Sequence, residues 1–259
     1  MSRWLKRIYA SVIFLFLYAP IIVLIIFSFN AGKYSGNWEG FSLKWYQALL
    51  TDRSIMKALY YTVLIAVLSS LISTVIGTLA ALGIHHMKPL RKNIMLNVNN
   101  IPVLNPDIVT GVALMTLFGF FKMQFGVSTL LIAHITFNIP YVILSVLPKL
   151  KQLPADALEA AMDLGATPWY AFRKVIFPEI LPGIITGALI AFTLSVDDFV
   201  ISFFTTGGGV TNLSIAIFAM ARRGIKPVIN ALSTLMFGTV LGLLLIINAR
   251  SGDVTELDV

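Results

Sequence analysis

The sequence lacks cysteine altogether, and it is poor in charge. Charged residues make up only 12% of the 259 positions, whereas soluble domains carry about 25%. The absence of cysteine excludes disulfides and thiolate metal sites. The shortage of charge leaves no stretch of soluble composition that could bury a separate core. Together these absences argue against a soluble or disulfide-stabilised domain.

Long apolar stretches take the place of the missing charge. Hydrophobic residues supply 58% of the chain, and its mean hydropathy is +0.87. A helix needs about 20 apolar residues to cross a bilayer. We therefore predict an all-α integral membrane protein, a single transmembrane domain over residues 1–259 with six transmembrane helices. The predicted spans cover about 8–29, 59–84, 94–121, 128–147, 180–204 and 228–249.

The basic residues bear on topology rather than on nucleic acid. The net charge is +7, but in a membrane protein basic loops set orientation and contact anionic lipid. The tail at 1–7 and the turn at 88–92 are dense in Lys and Arg. Short basic segments of this kind stay inside, so we expect the N-terminus and C-terminus to be cytoplasmic.

The third predicted span contains a polar interruption. Asn105 suits a helix N-cap and Pro106 suits the first helical position. We expect the helix to be broken or kinked there, with Asp107 just beyond the break. A broken helix is tolerated at membrane depth where it is buried in protein or lines a cavity. The alternative is a helix that simply starts late, after a loop at the cytoplasmic face.

A polar segment over 154–178 separates the fourth and fifth spans. It predicts a short helix that begins near Asp156 and ends at Gly165, the residue type that terminates helices in a left-handed conformation. Thr167 should cap a second short helix over 169–177, which Pro178 should end. Taken alone, this amphipathic pattern would favour a helix lying on the lipid headgroups.

The same segment carries a family resemblance. Glu159-Ala160-Ala161, then Gly165, then Ile176-Phe177-Pro178 and Leu181-Pro182 resemble the EAA loop of ABC importer permeases. In that family the loop forms a coupling helix that sits in a groove of a cytoplasmic ATPase. The resemblance implies the type I permease architecture with a cytoplasmic coupling helix. The residues to which it assigns ATPase coupling are Glu159, Ala160, Ala161, Asp163 and Gly165.

The resemblance extends along most of the chain. Stretches at 41–46, 105–108, 134–137, 194–199 and 230–234 are similar to PotC-type permease subunits of spermidine/putrescine importers. This implies a non-catalytic subunit of a polyamine importer in the bacterial cytoplasmic membrane. The implied partners are a PotB-like second permease subunit, two copies of a cytoplasmic ATPase subunit and an external polyamine-binding protein.

No nucleotide site or catalytic set is evident in the sequence. The glycines at 207–209 lack the preceding strand and the following Gly-Lys-Ser/Thr that a phosphate-binding loop needs. No nucleophile with an adjacent base stands out. We therefore expect no enzyme activity and no cofactor in this chain, and ATP should be bound by the partner ATPase subunits.

Two adjacent carboxylates lie inside the apolar run at 188–204. Asp197 and Asp198 would cost several kcal/mol in hydrocarbon unless they are paired or solvated, so they are functional candidates. Neighbours on a helix point about 100° apart, so one could face a pore and the other a helix. The alternative is that one of them caps a broken helix or pairs with a structural cation.

A polyamine is a chain of ammonium groups, which carboxylates and aromatic rings both attract. The candidate substrate or translocation residues are Asp107, Tyr141, Asp197, Asp198 and Phe199. His85, His86 and His134 show no metal-ligand spacing. We expect interfacial packing for the first two and a hydrogen-bonded position within the helix bundle for His134, with no metal site.

Two other functions remain open at this point. An ABC importer permease for another small solute, such as iron or thiamine, would share the coupling loop. A self-sufficient channel or secondary transporter would fit the broken span and the intramembrane acids. The coupling loop favours the importer, because a self-sufficient transporter needs no docking helix of this pattern. The sequence does not rank spermidine against putrescine.

Overall fold

The computed structural model describes residues 3–33, 37–154, 156–223 and 227–255. Within these ranges the chain is helical, apart from loops and one isolated β-bridge between Asn30 and Phe41. The chain divides into two compact units, one formed by Met1–Met56 and Ile217–Val259 and the other by Lys57–Ala216. The all-α class predicted from the sequence is thus confirmed.

The helices differ greatly in length, from four residues to 33. In chain order they are α1 (Arg3–Ser28), α2 (Lys44–Thr51), α3 (Arg53–His85), α4 (Pro89–Leu104), α5 (Asp107–Phe120), α6 (Val127–Gln152), α7 (Ala157–Asp163), α8 (Pro168–Ala171), a π-helical turn (Phe172–Ile176), α9 (Phe177–Asp197), α10 (Val200–Thr205), α11 (Leu213–Arg223) and α12 (Val228–Thr255).

Among the described residues, four helical segments are long and apolar enough to cross a membrane: Arg7–Ser28, Arg53–His85, Val127–Gln152 and Pro168–Asp197. The bent pair α4 and α5 gives a fifth if it counts as one span. The predicted count of six is not reproduced exactly. The sixth predicted span, 228–249, falls in α12, but its apolar part with described side chains, Val228–Thr239, is short of a span.

The break in the third predicted span is present, but each residue lies one position earlier relative to α5 than the sequence predicted. Asn105 closes α4 and Pro106 occupies the N-cap position of α5, so Asp107 is the first helical residue. Asn105 has extended backbone angles, φ −78° and ψ 144°, as sterics require of a residue before proline. The two helices meet at 104°, so α4 is a helix in its own right.

The prediction that Pro178 ends a second short helix is wrong. Thr167 caps α8 as expected, but α8 runs through the π turn into α9 as one helix over Pro168–Asp197. The Phe177 N–H reaches back five residues to the Phe172 carbonyl. A π turn relaxes the regular hydrogen-bond ladder, so the helix can accept Pro178, which has no N–H, at this junction.

The larger unit is built on close helix contacts through glycine. Gly183 and Gly187 of α9 face Ser145 and Val142 of α6, and Gly77 of α3 also faces Val142. Small residues let helix backbones approach closely in membranes, where lipid supplies no hydrophobic drive for association. The buried cluster that surrounds these contacts comprises Ala81, Ile84, Val142, Ile143, Val146, Leu147, Leu150, Ile180 and Ala191.

The smaller unit organises the loop after α1 around one buried amide. The Asn30 side chain donates to the Asn37 carbonyl and accepts from the Glu39 N–H, at 2.7 and 2.8 Å. Its backbone carbonyl accepts from the Trp45 indole at 2.8 Å. One asparagine therefore satisfies backbone groups on both sides of the loop and fixes the start of α2.

Replacing Gly77 with alanine should destabilise the fold by about 1–3 kcal/mol, the usual cost of overpacking a filled core. The new Cβ would lie 2.7 Å from Cβ of Val142, whereas a Cβ at Gly83 of the same helix would meet nothing within 4 Å. Thermal unfolding in detergent checks this, with Gly83→Ala as the matched control. Equal melting temperatures for the two variants would contradict the packing argument.

Candidate functional site

The two adjacent aspartates lie where helix α9 ends. Asp197 is the last residue of α9, and Asp198 leaves the helix with φ −61° and ψ 122°. The chain then enters α10 at Val200. The span predicted over 180–204 therefore contains a break, and a change of backbone conformation, rather than helical rotation alone, sets the two side chains apart.

Asp198 is buried and its carboxylate is occupied. Its side chain is 7% exposed. One oxygen accepts from the Ile201 N–H at 3.1 Å, and the other accepts from the Ser202 N–H and the Ser202 hydroxyl, each at 2.7 Å. The carboxylate thus satisfies N–H groups at the first turn of α10 and meets the positive end of its dipole. Asp198 takes the structural role that the sequence left as the alternative, capping of a broken helix.

His134 and Asn212 complete a polar network around this cap. His134 Nε2 lies 3.0 Å from the Ser202 hydroxyl and 3.5 Å from the Asp198 carboxylate. The Asn212 amide nitrogen donates to the Ser202 hydroxyl at 2.7 Å and to the Asp198 carbonyl at 3.2 Å. The Ser202 hydroxyl donates its one proton to Asp198, so it must accept from His134. We therefore place the ring proton of His134 on Nε2, an assignment made from the hydrogen-bond network.

Asp197 is exposed at the end of α9, in contrast to its neighbour. The charges of Asp198 and then of Asp107, the first residue of α5, act on Asp197, and the charge of Asp107 also acts on Tyr141. Three of the five predicted substrate residues therefore lie in one neighbourhood. A cation near Asp197 and Asp107 would meet two carboxylates and the ring of a half-buried tyrosine.

The two predicted aromatic residues pack against other rings. Tyr141 stands edge-on to Phe137 with ring centroids 5.4 Å apart, and it borders the buried cluster formed by α5, α6 and α10. Phe199 lies beside Phe203 at 5.6 Å. Both are half-buried, so each ring is fixed by packing while part of it remains accessible.

Sequence reasoning missed Ser202 and Asn212. The sequence did contain a signal for Asn212, because asparagine before an apolar helix is a common N-cap. In the structure its side chain accepts from the Ile215 N–H at 3.0 Å, as an N-cap does. Nothing local marked Ser202. The hydrogen-bonded bundle position expected for His134 is confirmed at Nε2, while its Nδ1 has no hydrogen bond to any described residue.

The predicted coupling segment forms a short helix with a glycine stop. Gly165 has φ +89°. Its N–H bonds to the Met162 carbonyl at 2.8 Å, and the Ala166 N–H bonds to the Ala161 carbonyl at 3.2 Å. These two bonds define a Schellman motif, so the predicted left-handed role of Gly165 is confirmed.

The surface of this elbow combines acidic and apolar groups. Glu159, Ala160 and Asp163 are exposed and Ala161 is half-buried. Leu164 is 90% exposed and Trp169 70% exposed, so both large apolar side chains are open to contact with lipid or with a partner. A groove of about 540 Å³ runs beside them, lined by Ala161, Leu164, Gly165, Ala166, Thr167, Tyr170, Ala171 and Val175.

The histidines do not assemble a metal centre in the described part of the chain. Across those residues, no group of three or more His, Asp or Glu side chains could hold an ion. The His85 and His86 rings stand edge-to-face at 5.2 Å, and His86 Nδ1 lies 2.9 Å from the Leu82 carbonyl. The pair packs at the end of α3.

Comparison with known proteins supplies a family and a fold. Residues 73–251 match the family model described as "Binding-protein-dependent transport system inner membrane component". The chain is 36% identical over 249 residues to the spermidine/putrescine transport system permease protein PotC of Escherichia coli K12, covering 96% of this chain and 94% of that protein. It is 39% identical over 234 residues to the putrescine transport system permease protein PotI of the same organism, covering 88% and 83%.

A solved structure agrees with this assignment at the level of the fold. A chain of a bacterial ABC transporter involved in the import of the acidic polysaccharide alginate superposes with a TM-score of 0.72 at 15% identity, covering 96% of this chain and 94% of that chain. At this identity the likeness concerns the fold alone, that of an ABC importer permease.

Replacing Asp198 with asparagine should lower the free energy of unfolding by about 1–3 kcal/mol, because buried N–H groups would lose a charged acceptor. Asp197→Asn makes the same chemical change one residue earlier on an exposed side chain, so it should shift stability by less than about 0.5 kcal/mol. Thermal unfolding of both variants in detergent measures the difference. A D197N variant as unstable as D198N would overturn the assignment of the two roles.

Proposed function

This chain belongs to the family of binding-protein-dependent transport system inner membrane components, and we propose that it is the permease subunit of an ATP-driven importer of polyamines. The observation that carries the proposal is similarity to spermidine/putrescine and putrescine permeases over nearly the whole chain. The subunit is a non-catalytic membrane component. It moves substrate by alternating access, and its partners bind and hydrolyse ATP.

The proposed assembly contains a PotB-like second permease subunit, two copies of a cytoplasmic ATPase subunit and an external polyamine-binding protein. The family description, which names a binding-protein-dependent system, supports the external component. The glycines at 207–209 lie between α10 and α11, which is not the strand-to-helix setting of a phosphate loop. This agrees with ATP binding on another chain.

We place both termini in the cytoplasm and the protein in the bacterial cytoplasmic membrane. The basic tail and the basic turn at 88–92 support this orientation. It puts the α7–α8 elbow on the cytoplasmic side, where an ATPase can reach it. It also puts Asp197 in the outer half of α9, on the side from which the external protein delivers substrate.

Asp197 is the proposed contact for a substrate ammonium. It is exposed and the charge of Asp107 acts on it, so a cation there would be drawn to two carboxylates. Tyr141 and Phe199 offer ring faces to the methylene and ammonium groups. Asp198 is left out of the contact, because its oxygens are already engaged with Ile201 and Ser202.

The elbow is the proposed coupling element. Glu159 and Asp163 present acidic groups, while Leu164 and Trp169 present apolar ones, and a partner covering this surface would bury all of them. The Schellman turn at Gly165 sets the angle between α7 and α8, which fixes the shape offered to the ATPase.

Uptake by reconstituted liposomes tests the proposal. The complete transporter should accumulate labelled spermidine or putrescine when ATP and the binding protein are present. Competition between the two amines shows which of them the transporter takes up with the higher apparent affinity. Iron or thiamine transport in their place would identify another importer class. Accumulation by this chain alone, without ATP, would indicate a self-sufficient channel or secondary transporter.

Replacing Asp197 with asparagine should raise the concentration for half-maximal uptake roughly ten- to a hundredfold, because a desolvated charge-assisted hydrogen bond is lost. Asp197→Glu keeps the charge and should recover most of the affinity. Uptake by the assembled transporter is the measurement, normalised to the amount of complex. Unchanged concentration dependence in Asp197→Asn would remove Asp197 from the amine site.

Gly165→Val should uncouple transport, because a β-branched residue disfavours the left-handed conformation by roughly 1 kcal/mol or more. A Cβ there would meet nothing within 4 Å, so the effect is conformational rather than steric. Gly165→Asn is the matched control, since asparagine tolerates φ > 0. Substrate-stimulated ATPase activity and uptake should fall in the valine variant and persist in the asparagine variant, and normal activity in both would refute the role of the turn.

A further inference from the structure

The end of α9 is held by more hydrogen bonds than a helix cap requires. In an uninterrupted α-helix the Ser202 N–H would bond to the Asp198 carbonyl, four residues earlier. Here the Ser202 N–H bonds at 2.7 Å to the Asp198 carboxylate instead. The Asp198 carbonyl accepts from the Asn212 amide at 3.2 Å. The two groups that would continue the helix are each taken by a different side chain.

Asn212 joins three helix ends through one side chain. Its nitrogen reaches the Asp198 carbonyl at the end of α9 and the Ser202 hydroxyl in α10. Its oxygen accepts from the Ile215 N–H at the start of α11. Asn212 is buried, so losing it would leave several polar groups without partners inside the protein, where each is costly.

His134 ties the same point to α6. Its side chain is 1% exposed, and Nε2 meets the Ser202 hydroxyl at 3.0 Å. Ser202 is thereby fixed from α6 by His134, from α11 by Asn212 and from its own chain by Asp198. The position of α10, and with it the break after Asp197, depends on this shared hydroxyl.

We propose that Asn212 and His134 are positioning residues for substrate transfer: they keep α9 from continuing into α10, so that the Asp197 carboxylate stays exposed at a helix end. The inference rests on the proposed function of Asp197. If the helix continued, residues 200 and 201 would stand one turn beyond Asp197 on the same face and would cover it. Neither Asn212 nor His134 needs to touch the substrate.

Alkylation of an introduced cysteine measures the exposure of position 197 directly, without relying on any substrate. The chain has no cysteine, so Asp197→Cys gives it a single thiol for a water-soluble alkylating reagent. The transporter is labelled while assembled, and the label is then read on this chain alone after the subunits are separated. The test variants are Asn212→Ser, which keeps a helix-capping oxygen for α11 but cannot donate to the Asp198 carbonyl and the Ser202 hydroxyl together, and His134→Leu. His134→Gln retains a donor for Ser202 and serves as the conservative rescue.

Ser69→Ala supplies a matched control for loss of a buried hydrogen bond. Ser69 bonds to Ser195 at 3.0 Å between α3 and α9. Ser195 lies two residues before Asp197, but this bond involves none of the groups of Asp198, Ser202, Asn212 and His134 that hold the break. We expect the alkylation rate at position 197 to fall roughly two- to tenfold in Asn212→Ser and His134→Leu, as the loss of one hydrogen bond biases an equilibrium by about that factor. The rate should stay unchanged in Ser69→Ala and His134→Gln.

The five proteins to compare are Asp197→Cys alone and Asp197→Cys combined with each of the four further substitutions. Equal alkylation rates in all five would overturn the proposal. So would a fall in the Ser69→Ala protein equal to the fall in the Asn212→Ser protein. If Asn212→Ser does not assemble, His134→Leu against His134→Gln decides alone. Polyamine uptake with Asp197 restored is the second readout, and Asn212→Ser should raise the half-saturating concentration more than it lowers the maximal rate. Altered alkylation without polyamine uptake in the parent transporter would uphold the positioning role and reject the proposed substrate.

Discussion

Every backbone polar group inside a bilayer must find its partner within the protein, because lipid offers none. A helix that ends at membrane depth therefore needs side chains to replace the missing helical bonds. The break after Asp197 meets this demand with the Asp198 carboxylate and the Asn212 amide. The residue at which α9 stops, and so the position of Asp197 at a helix end, depends on these two groups.

The same need for hydrogen-bond partners explains why Asp197 and Asp198, two adjacent residues of the same type, have different surroundings. A carboxylate whose oxygens accept from Ile201 and Ser202 has little capacity left for a passing cation. Its neighbour, held at the last helical residue, keeps its own capacity. The structure thus separates a hydrogen-bonded carboxylate that caps α10 from an exposed one at the end of α9.

Local patterns in the sequence predicted what local physics controls. Hydropathy located the long helices, and the cap residues Thr167 and Gly165 marked the elbow because capping depends on neighbours in sequence. The course of the chain at Pro178 was mispredicted, since a π turn is favoured by packing around it rather than by its own residues. The choice between Asp197 and Asp198 was equally out of reach, because the partner that distinguishes them, Ser202, is itself held by His134, 68 residues away.

One helix connects the two functional elements of the larger unit. The segment Pro168–Asp197 is continuous over 30 residues, or about 45 Å at the helical rise of about 1.5 Å per residue. Its first turn belongs to the proposed ATPase surface and its last residue is the proposed substrate contact. A packed helix transmits displacement along its length far better than a loop would, so movement at the elbow would be felt at Asp197. The π turn lies near the elbow and the hydrogen-bond network lies at the other end.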